Sequence, residues 1–321
     1  MLLIAHRGAS GHRPEHTLAA YRLAVEMGAD VIEPDVVCTR DGVLVVRHEN
    51  EISGTTDVAS RPGFADRRTT RTIDGEAVTG WFTEDFTLAE LKTLRATERL
   101  PDLRPASAAY DGQFEIATLD ETIALAQELG AARGRPVGIY PETKHPSYFR
   151  EIGLPLEERL LEALHGAGYI SREAPAWIQS FEVGNLRQLR AQTDLRLVQL
   201  ADAMGGPFDQ PSATYRAMMT PAGLEEIAAY ADAVGVAKSL VLDPETLAPT
   251  PLVQDAHRTG LAVHVWTLRA ENVFLPPPLQ SDPARPADFG DLTAEVRALR
   301  DAGVDGVFTD FPDLVRDALA R

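Results

Sequence analysis

With 321 residues, 44% apolar and 25% charged, the chain is too long for a minimal domain and too apolar for a disordered one. Its 31 basic against 48 acidic residues give a formal charge of −17, which excludes long-range attraction to nucleic acid or to an anionic membrane surface. A phosphate-bearing ligand would have to be captured by local lysine and arginine together with a bound cation.

Strand-forming runs are predicted at Leu2–His6, Val31–Val37, Val137–Glu142, Ala176–Ser180, Arg196–Leu200, Val234–Lys238, Ala262–Leu268 and Gly306–Thr309. Between them lie stretches with apolar residues at three- and four-residue spacing, such as Leu119–Leu129, Leu156–Leu164, Leu186–Leu189 and Leu292–Leu299. Eight strands alternating with helices predict an α/β fold, a (β/α)8 TIM barrel, as a single domain over 1–321. An open doubly wound sheet would need a glycine-rich nucleotide fingerprint, and none is present.

Two segments break the rhythm. Asp41-Gly42 and Val43–His48 read as a hairpin return from the second strand, and residues from about 51 to 115 then hold no barrel unit. That insertion after strand 2 carries Thr69–Thr72, a Trp81-Phe82 pair and a predicted helix Leu88–Arg95 with Thr87 as its N-cap. A stretch this long is expected to serve function, here as a cap on the active-site face. Leu275–Asp291, rich in proline, reads as a stiff loop after the seventh strand.

The chemistry-bearing residues fall at strand ends, where a barrel gathers its functional groups. Residues two apart on a strand share a face, so Glu33 and Asp35 point together, as do Glu142 and Lys144. Three converging carboxylates would repel unless a hard divalent cation bound them, and an all-oxygen set predicts one Mg2+ or Ca2+. The alternative is a structural network with Arg7 and Lys144. His6 and His48 are the acid–base candidates, because histidine titrates near neutrality. Arg7 and Lys144 are the phosphate-binding candidates, Arg7 having a rim ion pair as its other reading.

Other histidines have plainer readings: His165 and His257 as surface residues, His264 as a satisfied core position, and His12, His16 and His145 as supporting or loop residues. Gln179 and Trp266 stand at strand ends as substrate-pocket candidates or simple packing. The lone Cys38 permits no intrachain disulfide, and no apolar run reaches the ~18 residues of a membrane span. No signal peptide precedes the first strand, so the expected compartment is the cytoplasm, or the periplasm or exterior if a leader was removed.

The ordered set His6-Arg7-Gly8 with Pro14-Glu15, Glu33-Pro34-Asp35, Asp41-Gly42 with Val46-Arg47-His48, and Pro141-Glu142-Thr143-Lys144 resembles the glycerophosphodiester phosphodiesterase family. Within the insertion, Thr55–Val58 and Val78–Phe86 are similar to the longer, often periplasmic or secreted bacterial branch. Later pieces, Gln179–Phe181, Val265–Thr267 and Asp305–Asp310, extend the likeness to nearly the whole chain. The resemblance implies metal-dependent hydrolysis of a small-molecule glycerophosphodiester to glycerol 3-phosphate and an alcohol. It puts Glu33, Asp35 and Glu142 on the metal, His6 and His48 in catalysis, and Arg7 and Lys144 on phosphate. His16, where many relatives have Asn, and Arg47, where apolar residues are usual, depart from it. The rival readings are a phospholipase of the phosphatidylinositol-cleaving or sphingomyelinase-D type, and a non-catalytic binding barrel. The first needs a lipid-facing rim, and no exposed apolar loop is evident in the sequence; the second would have lost a histidine or carboxylate, and all are present.

Overall fold

The computed structural model describes residues 1–321. Its parallel strands are β1 (Leu2–His6), β2 (Val31–Glu33 continued by Asp35–Cys38), β3 (Gly138–Ile139 continued by Glu142–Thr143), β4 (Trp177–Ser180), β5 (Arg196–Ala201), β6 (Ala233–Ala237), β7 (Ala262–Leu268) and β8 (Gly306–Thr309). Neighbours in sequence pair in order, and β8 returns to β1 with Leu2 opposite Gly306 and Ala5 opposite Thr309. That return closes the predicted TIM barrel, with helices packed outside. Leu44–Val46 adds one antiparallel strand beside Asp35–Cys38, the predicted hairpin return.

Two strands expected to run unbroken are interrupted. Pro34 in β2 has no N–H to give a ladder, and Tyr140-Pro141 parts β3 in the same way. The carbonyls still serve: Glu142 N–H donates to Pro34 O at 2.9 Å and Gln179 N–H to Pro141 O at 2.9 Å. The register is thereby carried across both gaps to the rows that matter, His6 opposite Glu33 and Asp35 opposite Glu142 opposite Gln179.

Inside the barrel, Ile4, Val31, Tyr140, Trp177, Val198, Ala233 and Phe308 form an apolar floor. Tyr140 stacks on Trp177 with centroids 5.6 Å apart, and its hydroxyl meets His264 Nδ1 at 2.8 Å. His264 is thus a core histidine with a partner. Between strands and helices lies the main core of 60 buried residues, which fixes the strand ends in space.

After β1 the chain turns at Gly8 (φ +89°) into the helix Leu18–Glu26, where Thr17 Oγ1 accepts from the Ala20 N–H as the N-cap. A Cβ on Gly8 would sit 2.7 Å from the carbonyl carbon of Ala20. Gly8→Ala should cost about 2 kcal/mol or more, because φ and space both oppose it; a denaturant midpoint equal to that of the parent protein would contradict the close approach.

Within 51–115, Thr69–Ile73 and Glu76–Gly80 form a hairpin whose two-residue turn, Asp74-Gly75, has φ values of 47° and 86°. The Asp-Gly pair is the sequence signal for that turn, and the two strands beside it are additional to the predicted ones. The predicted helix Leu88–Arg95 is corrected to a single turn, Leu88–Leu91, with Thr87 as N-cap in a capping box with Glu90. Asp57 ends it by accepting from Arg95 N–H at 2.9 Å while its own N–H donates to Arg95 O at 3.0 Å. Leu275–Asp291 contains only one short 3-10 turn, Pro277–Leu279.

Candidate active site

Period-two alternation along the strands builds the site. On one face, apolar floor residues are followed at the carboxyl ends by polar ones: Ile4 by His6, Val31 by Glu33 and Asp35, Tyr140 by Glu142 and Lys144, Trp177 by Gln179. Glu33, Asp35 and Glu142 are 1%, 1% and 6% exposed, and a ligand oxygen from each lies within 4.8 Å of the others.

Their electrostatics are those of a cluster short of positive charge. Burial, then the charges of Asp35 and Glu142, push Glu33 well above the usual carboxylate range. Burial also raises Glu142 to about 8, with Asp35 adding to the effect and Lys144 opposing it. Against burial, Lys144 and a hydrogen bond from His16 hold Asp35 low. Lys144 Nζ lies 2.6 Å from Glu142 and 3.5 Å from Asp35. Even so, the buried Asp35 Oδ1 has no hydrogen-bond partner. An oxygen with no hydrogen bond and only a 3.5 Å ion-pair contact, among three crowded carboxylates, is what a hard cation would satisfy, so the residues present fit one.

His6 and His48 reach the same cavity, about 290 Å³ in volume, as do Arg7, Glu33, Glu142 and Lys144. Each ring has a carboxylate on Nδ1: Asp310 at 2.6 Å from His6, Glu49 at 2.8 Å from His48. A carboxylate partner keeps the proton on Nδ1 and leaves the Nε2 lone pair for chemistry. Burial and then the Arg7 charge lower His6 to about 4, and burial with Arg7 and Lys144 lowers His48 to about 3. Both rings are therefore neutral at pH 7 before any anion arrives.

Arg7 has φ +59°, and its N–H donates to Glu33 Oε2 at 2.9 Å. Its guanidinium makes two 3.1 Å bonds to Glu15 and lies 3.5 Å from Asp35. Part of the rim ion pair weighed from the sequence is therefore present alongside an Arg7 that lines the cavity. His16 is fully buried, with Nε2 2.8 Å from Asp35 and Nδ1 2.8 Å from Tyr21. Arg47 is buried too, donating to the carbonyls of Val46, Thr55, Glu15 and His16, so it ties loops together rather than charging the cavity.

The sequence reading missed the partners that hold these groups. Asp310 Oδ2 accepts from Arg104 at 2.6 Å and Arg269 at 2.7 Å; Arg104 also meets Glu271 at 2.6 Å. Arg104 and Arg99, the latter 2.9 Å from Glu15, both come from residues 51–115. Lys238, Arg269 and Phe181 line the cavity as well. Phe181 and Asp310 fall within pieces of the family likeness and Lys238 at a predicted strand end, but no local pattern marks Arg99, Arg104 or Arg269, which only the closed barrel brings in. Gln179 donates to Glu33 at 2.9 Å and keeps its own Oε1 unpartnered, while Trp266 lines the wall with its indole N–H on Gly235 O at 3.0 Å.

Of the remaining histidines, His12 meets Asp313, His165 meets Thr193 and His257 meets Asp305, all away from the cavity. His145 bridges Glu49 at 2.8 Å and Asp74 of the hairpin turn at 2.6 Å. Against burial, those two bonds raise it to about 9. An unfolded histidine titrates near 6.5, so this clamp stabilises fully below about pH 6.5 and is lost as pH rises through about 9. Thermal unfolding from pH 6.5 to 9.5 should show a loss of at most about 3 kcal/mol that His145→Gln removes; parallel curves for both proteins would refute the clamp.

One sequence expectation is corrected. An exposed apolar loop does exist, since Met204 and Phe208 after β5 are 83% and 43% exposed. Separated by Gly205, Gly206 and Pro207, they carry no periodic signal. No helix is long and apolar enough to cross a membrane.

The sequence profile of the glycerophosphoryl diester phosphodiesterase family matches residues 6–314. A glycerophosphodiester phosphodiesterase of Arabidopsis thaliana is 37% identical over 96% of this chain and 83% of its own length. One from Haemophilus influenzae is 31% identical over 97% of this chain and 88% of its own. Among solved structures, an Oleispira antarctica phosphodiesterase in complex with the product sn-glycerol-3-phosphate superposes with a TM-score of 0.64 at 22% identity. That match covers 100% of this chain and 97% of the other.

Proposed function

The chain belongs to the glycerophosphoryl diester phosphodiesterase family, and from that premise we propose which of its residues perform the reaction. The activity is hydrolysis of glycerophosphodiesters to glycerol 3-phosphate and an alcohol. Glu33, Asp35 and Glu142 hold one divalent cation, Mg2+ or Ca2+, in keeping with their all-oxygen donors and an Asp35 Oδ1 that accepts no hydrogen bond. His6 and His48 are the acid–base pair, Arg7 and Lys144 bind the phosphate, and Gln179 and Trp266 line the substrate pocket. The whole chain forms one catalytic domain, with residues 51–115 capping the site; the reach of Arg99 to Glu15 and of Arg104 to Asp310 supports that assignment.

When bound, the cation supplies Lewis acidity and a template for phosphoryl and glycerol oxygens. Lys144 and the free edge of Arg7 meet the remaining phosphoryl oxygens, and their attraction grows as negative charge gathers in the transition state. One imidazole Nε2 takes the proton of the nucleophile, either water or the glycerol hydroxyl beside the ester, which would give a transient cyclic phosphate. The other Nε2 delivers a proton to the departing alcohol oxygen. In the free enzyme both rings are neutral, and the charge of the arriving phosphate favours protonation of one of them. Asp310 and Glu49 steady whichever ring becomes imidazolium.

The observation that carries this reading is the meeting of two Nδ1-anchored imidazoles with the carboxylate trio at one mouth of the barrel. A coupled assay for released glycerol 3-phosphate, run on several diesters, tests it. Release from none of them, in the presence of Mg2+ or Ca2+, would reject the reaction.

A further inference from the structure

Beside the catalytic cavity lies a second one, about 530 Å³, which shares His48, Glu142, Lys144, Phe181 and Trp266 with it. The two differ in charge. Beyond Glu33 and Glu142, the charged residues lining the catalytic cavity are Arg7, Lys144, Lys238 and Arg269. The second is lined by Glu49, Asp74, Glu182 and Asp202, and by the aromatic rings of Phe181, Phe208, Tyr215 and Trp266. Its cations are Lys144 at the shared edge and His145, which already bridges Glu49 and Asp74; His48, also at that edge, is neutral.

Glu182 and Asp202 face this space without any ion-pair partner. Glu182 is 4% exposed and accepts only from Ser147, through its N–H at 3.2 Å and its hydroxyl; burial raises it to about 7, so at neutral pH it carries part of a charge and Asp202 a whole one. Asp202 caps the end of β5 and accepts only from Ala203 N–H at 2.6 Å. Phe181 stands edge-on between Trp266 and Tyr215, each centroid 5.9 Å from its own. The Tyr215 hydroxyl is pushed up by burial and then by Asp202, Asp209, Glu142 and Glu182, so several carboxylates act on the same aromatic wall.

Aromatic faces with nearby uncompensated carboxylates are the surroundings an organic ammonium prefers. A diester spanning both cavities would lay its anionic glycerophosphate among Arg7, Lys144, Lys238 and Arg269. Its alcohol would extend past Trp266 and Phe181 into the acidic, aromatic space. We propose that this second cavity is the subsite for the departing alcohol and that it selects alcohols bearing a positively charged ammonium group. The proposal rests on the reaction assigned above and names the substrate class within it. Phe208, 43% exposed in the free protein, then has a role as the outer wall of the cage.

The test compares kcat/KM for glycerophosphocholine and glycerophosphoethanolamine with that for glycerophosphoglycerol and glycerophosphoinositol. Ammonium headgroups should be favoured by about tenfold, and Asp202→Asn should cut that selectivity ratio by about three- to tenfold. Asp202 is exposed, so the variant keeps the fold. Tyr215→Leu should reduce the ratio by a similar factor by removing one ring. In a separate thermal-shift titration, free choline should stabilise the parent protein more than 3,3-dimethyl-1-butanol, its uncharged isostere. Equal rates on all four diesters, an unchanged ratio in Asp202→Asn, or equal shifts by choline and its isostere would overturn the subsite. Failure to hydrolyse any diester would instead reject the reaction, and the choline titration would still read the cage.

Discussion

Replacing His6 with alanine is expected to lower kcat by about 10²- to 10⁴-fold, with the fold intact. At the end of β1 the ring is held by Asp310 at 2.6 Å and its Nε2 is left for the cavity. Truncation takes the one partner of Asp310 Oδ1 but leaves the carboxylate's charge compensated, since Oδ2 still accepts from Arg104 and Arg269 at 2.6 and 2.7 Å. An uncompensated buried carboxylate would cost several kcal/mol, and this network avoids that penalty. Circular dichroism and thermal unfolding should match the parent protein while glycerol 3-phosphate release collapses. His48→Ala should behave alike, because Glu49 retains His145 at 2.8 Å. Either variant turning over at the parent rate would remove that histidine from the acid–base pair.

The same network shows what a sequence can and cannot disclose. Alternation along a strand is a local property, so Glu33 with Asp35, and Glu142 with Lys144, could be placed on a shared face before any coordinates. The barrel followed from the strand count, because right-handed crossovers leave few ways to arrange eight alternating units. Asp310 as the partner of His6 was beyond reach, the two being 304 residues apart and joined only by closure of β8 onto β1. Arg104 arrives from the insertion, where no periodicity points at the mouth. Leu88–Arg95 misled for the opposite reason: its helical pattern is real, but Asp57 captures the Arg95 backbone and tertiary bonds override propensity. Asp74-Gly75 was readable as a hairpin turn, and its use, anchoring His145 beside Glu49, was not.

Glu33→Gln should separate the stability of the metal-free protein from its activity. Glu33 is 1% exposed and sits against two further carboxylates, so its charge is resisted by burial and by its neighbours in the absence of a cation. The substitution keeps the local bonds: the amide oxygen can still accept from Arg7 N–H, which lies 2.9 Å from Glu33 Oε2. Its new N–H group can donate to Gln179 once that side chain turns its unpartnered Oε1 inward. Metal-free Glu33→Gln should therefore unfold at the same temperature as the metal-free parent or higher. Function moves the other way, since losing one of three anionic ligands should lower activity on the order of 10³-fold. In the parent, chelation should abolish turnover and Mg2+ or Ca2+ should restore it. Added metal should also raise the parent's stability, by about 2.7 kcal/mol when present at about 100 times its Kd, and the variant should lose most of that gain. A parent that keeps full turnover after exhaustive chelation, or a metal-free variant that unfolds well below the metal-free parent, would mean that the three carboxylates are a structural network and not a cation site.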